Sequence, residues 1–249
     1  MAGQYIDAMP TPAVPTRLVQ PLRGISLCEI CRTWADGALC ADCVARFAPA
    51  RIRCRHCGLG LGAAAAAGSA CPACRQSPPA YARSACAVDY GFPWDGLIAA
   101  LKFQEQTALA RALAPLLARA VRSLGGAPVD LVLPIPLSSE RLRQRGYNQA
   151  WELARHTAGQ LRLPARSGLL TRPVATAAQH ALDRASRQRN LRDAFMVEPG
   201  ARPALQGRRL ALVDDVMTTG ATVHEAADTL LRAGAAAVDV WVFARTPEH

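Results

Sequence analysis

Lysine is nearly missing from this chain: of its 29 basic residues only Lys102 is a lysine. The others are arginine, whose planar fork matches phosphate and carboxylate oxygens. Together with a net charge of +10, this points to polyanionic ligands. The same bias, with abundant alanine, also fits a GC-rich coding sequence. Aromatic residues make up only 5%, which leaves few rings for stacking on nucleic-acid bases. Polar or charged residues interrupt every long apolar stretch, so no run reaches the roughly 18 residues of a membrane span. The N-terminal residues lack the charged-then-apolar layout of a secretory signal, and the expected location is the cytoplasm. With 249 residues and 51% apolar content, the chain has material for one ordinary domain and a small appendage.

Cysteine is present in excess. Eight of the nine cysteines form four CxxC pairs: Cys28/Cys31, Cys40/Cys43, Cys54/Cys57 and Cys71/Cys74. In a chain without an export signal such pairs read as metal sites rather than disulfides. Zinc takes four thiolates in a tetrahedron, and each CxxC supplies two from one tight turn. The simplest grouping is sequential, the first four cysteines on one zinc and the last four on another; a cross-braced pairing satisfies the same spacing. Gly58, directly after Cys57, suits a knuckle because glycine tolerates a left-handed backbone. A closed four-thiolate shell has no open position for substrate, so two structural zincs are expected. Cys86 stands alone in an apolar strand, and His56, inside a CxxC turn, reads as a surface residue.

Residues 1–25 carry four prolines and read as a flexible leader. Residues 26–80 hold the paired cysteines, with the run Ala63 to Ala67 as a loop insertion. Residues 81–249 have a different texture. Strands are predicted at Tyr81 to Tyr90, Val129 to Leu133, Leu210 to Val213 and Val238 to Phe243. Helices are predicted at Trp94 to Phe103, Asn148 to Leu161 and Thr222 to Arg232. Leu109, Leu113, Leu116, Leu117, Val121 and Leu124 mark a further helix, in which Pro115 predicts a kink or a break. Strands alternating with helices imply an α/β domain with a parallel sheet covered on both faces.

The stretch Leu210 to Thr222 reads LALVDDVMTTGAT. An apolar strand ends in two acids, and a loop of small residues leads into a helix. The first helical turn presents free backbone N–H groups, and its dipole favours an anion. Thr218, Thr219 and Thr222 add hydroxyls, and Gly220 allows close approach of a phosphomonoester. Asp214 and Asp215 sit where open α/β sheets bind ligands, and carboxylates there can accept from sugar hydroxyls. Neither GxxxxGK nor GxGxxG occurs in this loop, which excludes the usual nucleotide loops. The alternative reading is a capping box, Thr222 to Glu225, behind an ordinary strand end.

These thirteen residues resemble the phosphoribosyl-pyrophosphate (PRPP) motif of type I phosphoribosyltransferases. Over about residues 26–245 the chain resembles the ComF family, the competence-associated branch that includes the gluconate-utilisation protein GntX. The CxxC module, Leu101-Lys102-Phe103 and Pro134 to Leu137 followed by Arg145 to Gln149 carry the likeness. So do Gln179, Arg187, Asn190-Leu191, Phe195 and Asp214-Asp215 with Thr218 to Gly220. The resemblance implies a parallel-sheet, phosphoribosyltransferase-like α/β domain preceded by a double zinc ribbon. It implies that Asp214 and Asp215 meet ribose hydroxyls and that Thr218, Thr219, Gly220, Ala221 and Thr222 hold the 5′-phosphate. Arg145 and Asn148 would lie near the pyrophosphate, which carries magnesium. Residues 172–192 fall where such enzymes have a mobile loop, and Arg187 would reach pyrophosphate from it. Asp214, Asp215 and Arg187 are then the catalytic candidates.

Three functions remain open. One is a phosphoribosyltransferase with an unidentified acceptor; another is a non-catalytic PRPP sensor working with competence proteins in DNA uptake. The third is a zinc-ribbon module binding single-stranded DNA, with Trp34 and Phe47 as its rings, both read first as core residues. Arg32, Arg46, Arg51, Arg53, Arg55 and Arg75 outnumber Glu29, Asp36 and Asp42 in the module. That excess favours an interaction surface removable without loss of PRPP binding; the alternative is a clamp on the sheet, whose deletion would make the remainder aggregate. Protein purified without chelator is expected to carry about two zincs per chain by metal analysis, with Cys86→Ser unchanged. Metal-free protein would refute the assignment.

Overall fold

The computed structural model describes residues 25–172 and 194–247. The N-terminal part has little regular structure. A two-residue antiparallel pair, β1 (Ser26–Leu27) with β2 (Trp34–Ala35), leads into α1 (Ala41–Phe47). A second loop region ends in α2 (Pro72–Gln76), and the Ala63 to Ala67 run lies in its turns. So few apolar residues cannot form a core unaided.

The remainder alternates as expected. β3 (Arg83–Asp89), α3 (Trp94–Phe103) and α4 (Ala108–Leu124) come first, then β4 (Leu131–Pro134), α5 (Ser139–Arg145) and α6 (Gln149–Leu161). The antiparallel pair β5 (Leu170–Thr171) and β6 (Met196–Val197) precedes α7 (Arg202–Leu205), β7 (Arg209–Met217), α8 (Ala221–Arg232) and β8 (Ala237–Arg245). One sheet runs in the order β3-β8-β7-β4, and every neighbouring pair is parallel.

Strand alternation builds two cores, because successive side chains point to opposite faces. On one face Ala211, Val213, Trp241 and Phe243 meet Ile98 and Leu101 of α3, Leu113 and Leu117 of α4, and Leu153 of α6. On the other, Leu210, Leu212, Val240 and Val242 meet Val223, Ala227 and Leu230 of α8. The middle of each sheet-centre strand, 210–213 in β7 and 240–244 in β8, is apolar and buried on both sides, as parallel sheets require. α4 is continuous through Pro115, contrary to the break predicted there. Pro115 is exposed, and the carbonyl that loses its donor belongs to exposed Arg111, where water can replace the bond.

The cysteine module is sewn into the sheet domain. Trp94 Nε1 donates to the Phe47 carbonyl at 2.9 Å, Arg119 to the Ala48 carbonyl at 2.8 Å, and Ala48 belongs to the sheet's core. Arg53 donates to Asp89 at 2.6 Å and to the Gly58 carbonyl at 3.1 Å. Gly58 has φ +69°, and a Cβ there would lie 3.0 Å from Cys86 Cβ, so a side chain is excluded by both backbone and neighbour. Two of the module's arginines, Arg51 and Arg53, bond Asp89 of β3, so part of that charge ties the module to the sheet. Trp34 is not a core residue: it is 73% exposed. Phe47 does pack against the core, edge-on to Phe92. His56 is half-buried rather than on the surface.

Deleting residues 1–78 removes the partners of Trp94 and Arg119 and uncovers the seat of Ala48. The truncated protein is expected to aggregate on size-exclusion chromatography. A monodisperse, folded fragment would contradict this interlocked packing.

Candidate functional site

The cysteines gather as two sequential clusters. Cys28, Cys31, Cys40 and Cys43 form one; Cys54, Cys57, Cys71 and Cys74 form the other, with the ligand atoms of each within 4.8 Å of one another. The grouping is thus sequential and not cross-braced. Four thiolates about 2.3 Å from a tetrahedral zinc stand about 3.8 Å apart. The Cys31–Cys40 and Cys57–Cys71 sulfur pairs are both 3.7 Å apart, so the residues fit the ion. Backbone amides point at the sulfurs: Cys40 N donates to Cys28 Sγ at 3.3 Å and Cys71 N to Cys54 Sγ at 3.2 Å. Thr33, by side chain and then backbone, pulls the Cys31 thiol down to about 6. Burial opposes ionisation of Cys54, but the amides of Cys57, Cys71 and His56 hold it down to about 7. Cys86 joins neither cluster; its buried thiol donates to the Val88 carbonyl, and burial pushes it up to about 11.

The second site forms at the carboxyl ends of β4 and β7. β4 ends at Pro134, which pairs with Val213, while β7 continues beside β8 to Met217. Pro134 and Pro136 cannot donate to a ladder, so the β4 side of β7 opens beyond Val213. A cleft of about 530 Å³ lies there, lined by Lys102, Arg141, Arg145, Arg172, Asp214 and Thr222 among others. The two acids are not equivalent. Asp215 follows Val213 toward α3 and α6; its Oδ2 is 2.6 Å from Lys102 Nζ, and its Oδ1 accepts from Gln149 at 3.3 Å. Asp214 faces the opposite way, and its Oδ1 accepts from the Asp215 amide at 2.9 Å. Burial, and then the Asp215 carboxylate, raise the Asp214 carboxyl well above its ordinary range.

The loop after β7 opens α8 with Gly220 at φ +83° as its N-cap residue. Gly220 as N-cap has no side chain to offer, and Thr222 already lies inside the helix rather than at the N-cap of a Thr222 to Glu225 capping box. Thr218 and Thr219 are exposed, and the Thr219 hydroxyl accepts from Ala221 N at 3.3 Å. The first-turn amides of α8 are left without intrahelical acceptors.

Arg145 lines the cleft, donates to Gln149 and lies over the Phe103 ring at 5.1 Å. Asn148 does not line it; its Oδ1 accepts from the Ala150 and Trp151 amides, and its Nδ2 donates to the Ile135 carbonyl. It caps α6 and holds the loop after β4. Arg187 lies outside the described residues.

Lys102, Gln149 and Arg172 are the residues that sequence reasoning left without a role. The signal for Lys102 was its uniqueness among 29 basic residues. Burial, and then nearby Arg141, pull the Arg172 guanidinium below its ordinary value, with Asp214 opposing.

The raised Asp214 gives a pH-dependent test. The folded state binds this proton more tightly than the unfolded chain, so stability falls as pH rises from the unfolded value through the folded one. Asp214→Asn removes that loss. Its melting temperature is expected to exceed wild type at neutral pH, with the gain vanishing in acid, where both states are protonated. Equal melting temperatures at neutral pH would contradict the raised carboxyl of Asp214.

No family model matches the chain. It is 37% identical over 227 residues to DNA utilization protein YhgH of Escherichia coli strain K12, covering 88% of this chain and 97% of that protein. Competence protein F of Haemophilus influenzae is 33% identical over 215 residues, covering 85% and 92%. Among solved structures, glutamine PRPP amidotransferase from B. subtilis overlaps 55% of this chain and 26% of its own, at 19% identity and a TM-score of 0.37. The near-complete coverage of relatives bearing the competence protein F and DNA utilization names shows that the chain belongs to the ComF family.

Proposed function

We propose that this protein binds PRPP with magnesium in the cleft beside β7 and works in DNA utilization and natural competence, as its relatives' names suggest. The observation that carries the reading is the placement of Asp214. It lines a cleft that holds Arg141 and Arg172, two like charges, close to Thr222 in the first turn of α8. An anion in the cleft offsets their repulsion, and a sugar hydroxyl gives Asp214 a donor. Asp214 is the ribose acceptor in this reading. Asp215 already holds Lys102 and Gln149, and acts by keeping α3 and α6 against β7.

The Thr218 to Thr222 segment receives the 5′-phosphate through first-turn amides and the exposed threonine hydroxyls. Arg141, Arg145 and Arg172 receive the pyrophosphate by charge-assisted bonds. When bound, magnesium supplies further neutralisation of pyrophosphate charge. In a transfer reaction the bond from ribose C1 to pyrophosphate breaks and one to an acceptor nucleophile forms. The protein's part is positioning and electrostatic stabilisation.

Asp214→Ala removes a charged acceptor, an interaction of about 1.5 to 3 kcal/mol. Calorimetry with magnesium and PRPP is expected to show affinity reduced about 10- to 150-fold. Wild-type affinity in the folded variant would refute the site. Pyrophosphate release in the presence of a metabolite extract separates a transferase from a sensor.

A second reading has one observation in its favour. Trp34, 73% exposed beside the first cysteine cluster, is a free stacking platform in a chain with few aromatics. Stacking on a base contributes about 1–3 kcal/mol. Fluorescence anisotropy with a labelled single strand should therefore show weaker binding by Trp34→Ala; unchanged affinity would remove this reading.

A further inference from the structure

The two cysteine clusters are placed differently with respect to the phosphate loop. The first lies beside Ile30, Leu39, Val44 and Phe47, which pack on the core under α3 and α4. The second shares a cleft of about 320 Å³ with Thr219, Gly220, Ala221 and His224, whereas Thr222 lines the cleft beside β7. One buried side chain spans the gap. Arg245, the last residue of β8, is 5% exposed. Its Nε donates to the Cys57 carbonyl at 2.9 Å, and its Nη1 to the Met217 carbonyl at 3.4 Å and the Thr246 carbonyl at 2.5 Å. Cys57 is a metal-ligand candidate, and Met217 is the residue before the loop.

These bonds all end on carbonyls, which carry no full charge. A buried guanidinium needs a compensating anion. A zinc held by four thiolates has a net charge of −4 + 2 = −2, and the cluster borders the same cleft as Arg245. Two further ties join this side to the loop. The Ala80 amide donates to His224 Nδ1 at 3.1 Å, and a Cβ on Gly220 would lie 3.7 Å from the Tyr81 hydroxyl.

We propose that Arg245 is a positioning residue that makes the phosphate loop depend on the second cluster, so that metal at Cys54, Cys57, Cys71 and Cys74 governs anion binding at residues 218–222. Metal at the first cluster does not. Loss of the second ion would leave Arg245 uncompensated, release the Cys57 and Met217 carbonyls and loosen the first turn of α8. This coupling rests on the phosphate-loop reading for its effect on PRPP, but its effect on the loop itself does not.

The test uses full-length protein carrying Arg245→Gln, Arg245→Lys, Cys74→Ser or Cys31→Ser. Three readouts are taken: zinc content, hydrogen exchange across residues 217–224, and PRPP affinity. Arg245→Gln is expected to retain both zincs yet exchange faster in the loop and bind PRPP about tenfold more weakly. Arg245→Lys keeps the charge but cannot reach all three carbonyls, and should show the same changes to a smaller degree, which covers failure of the glutamine variant to fold. Cys74→Ser should match Arg245→Gln in the loop, whereas Cys31→Ser should leave the loop and PRPP affinity unchanged. By linkage, PRPP should in turn tighten the binding of one zinc only, read by equilibrium competition with a chelator. Wild-type loop exchange in the zinc-loaded Arg245 variants, or equal loop effects from Cys31→Ser and Cys74→Ser, would overturn the proposal. Failure of the wild type to bind PRPP would instead count against the proposed function, with loop exchange still deciding the coupling.

Discussion

β7 runs to Met217, whereas its neighbour β4 stops at Pro134, paired with Val213. The site follows from that mismatch in length. Past Val213, one edge of β7 loses its partner strand, and the prolines prevent the chain after β4 from supplying another ladder. Side chains at this end still alternate between faces. Asp215 is sent to α3 and α6 and Asp214 to the opposite face, so two adjacent carboxylates acquire different neighbours from the pleat alone.

The buried carboxylates Asp215 and Asp239 each have identified compensators. Asp215 has Lys102 at 2.6 Å, and Asp239, fully buried, lies between Arg83 and Arg209 at 2.8 and 2.9 Å. Breaking such pairs is more damaging than never having had them, because one partner is left desolvated and alone. Arg245 differs in having carbonyl partners, and a cysteine cluster borders the same cleft. The cationic cleft around Arg141 and Arg172 differs again, since its balancing charge would come from a ligand.

The cysteine module reads in this light as part of the sheet domain's wall. α1 and the loop after it close the core under α3 and α4, and the second cluster backs the loop that opens α8. A module with so little apolar surface gains order from the domain it covers, and a metal held by its cysteines would add to it. The covered domain depends on it in return at Trp94 and Arg119.

What was legible from sequence was local. CxxC spacing marks metal turns, apolar periodicity marks the strands and helices, and LALVDDVMTTGAT marks a strand entering a phosphate-ready helix, because each signal depends on residues close along the chain. Tertiary structure decided what depends on distant partners. Lys102 and Asp215 are 113 positions apart (215 − 102) yet in contact. Asn148 turned out to cap α6 and Trp34 to be exposed, since neither hydrogen-bond partner nor burial is written in a residue's type. The sequential grouping of the cysteines and the reach of Arg245 from β8 to Cys57 were also set there, by the closure of a loop over an edge strand and the register of a parallel sheet.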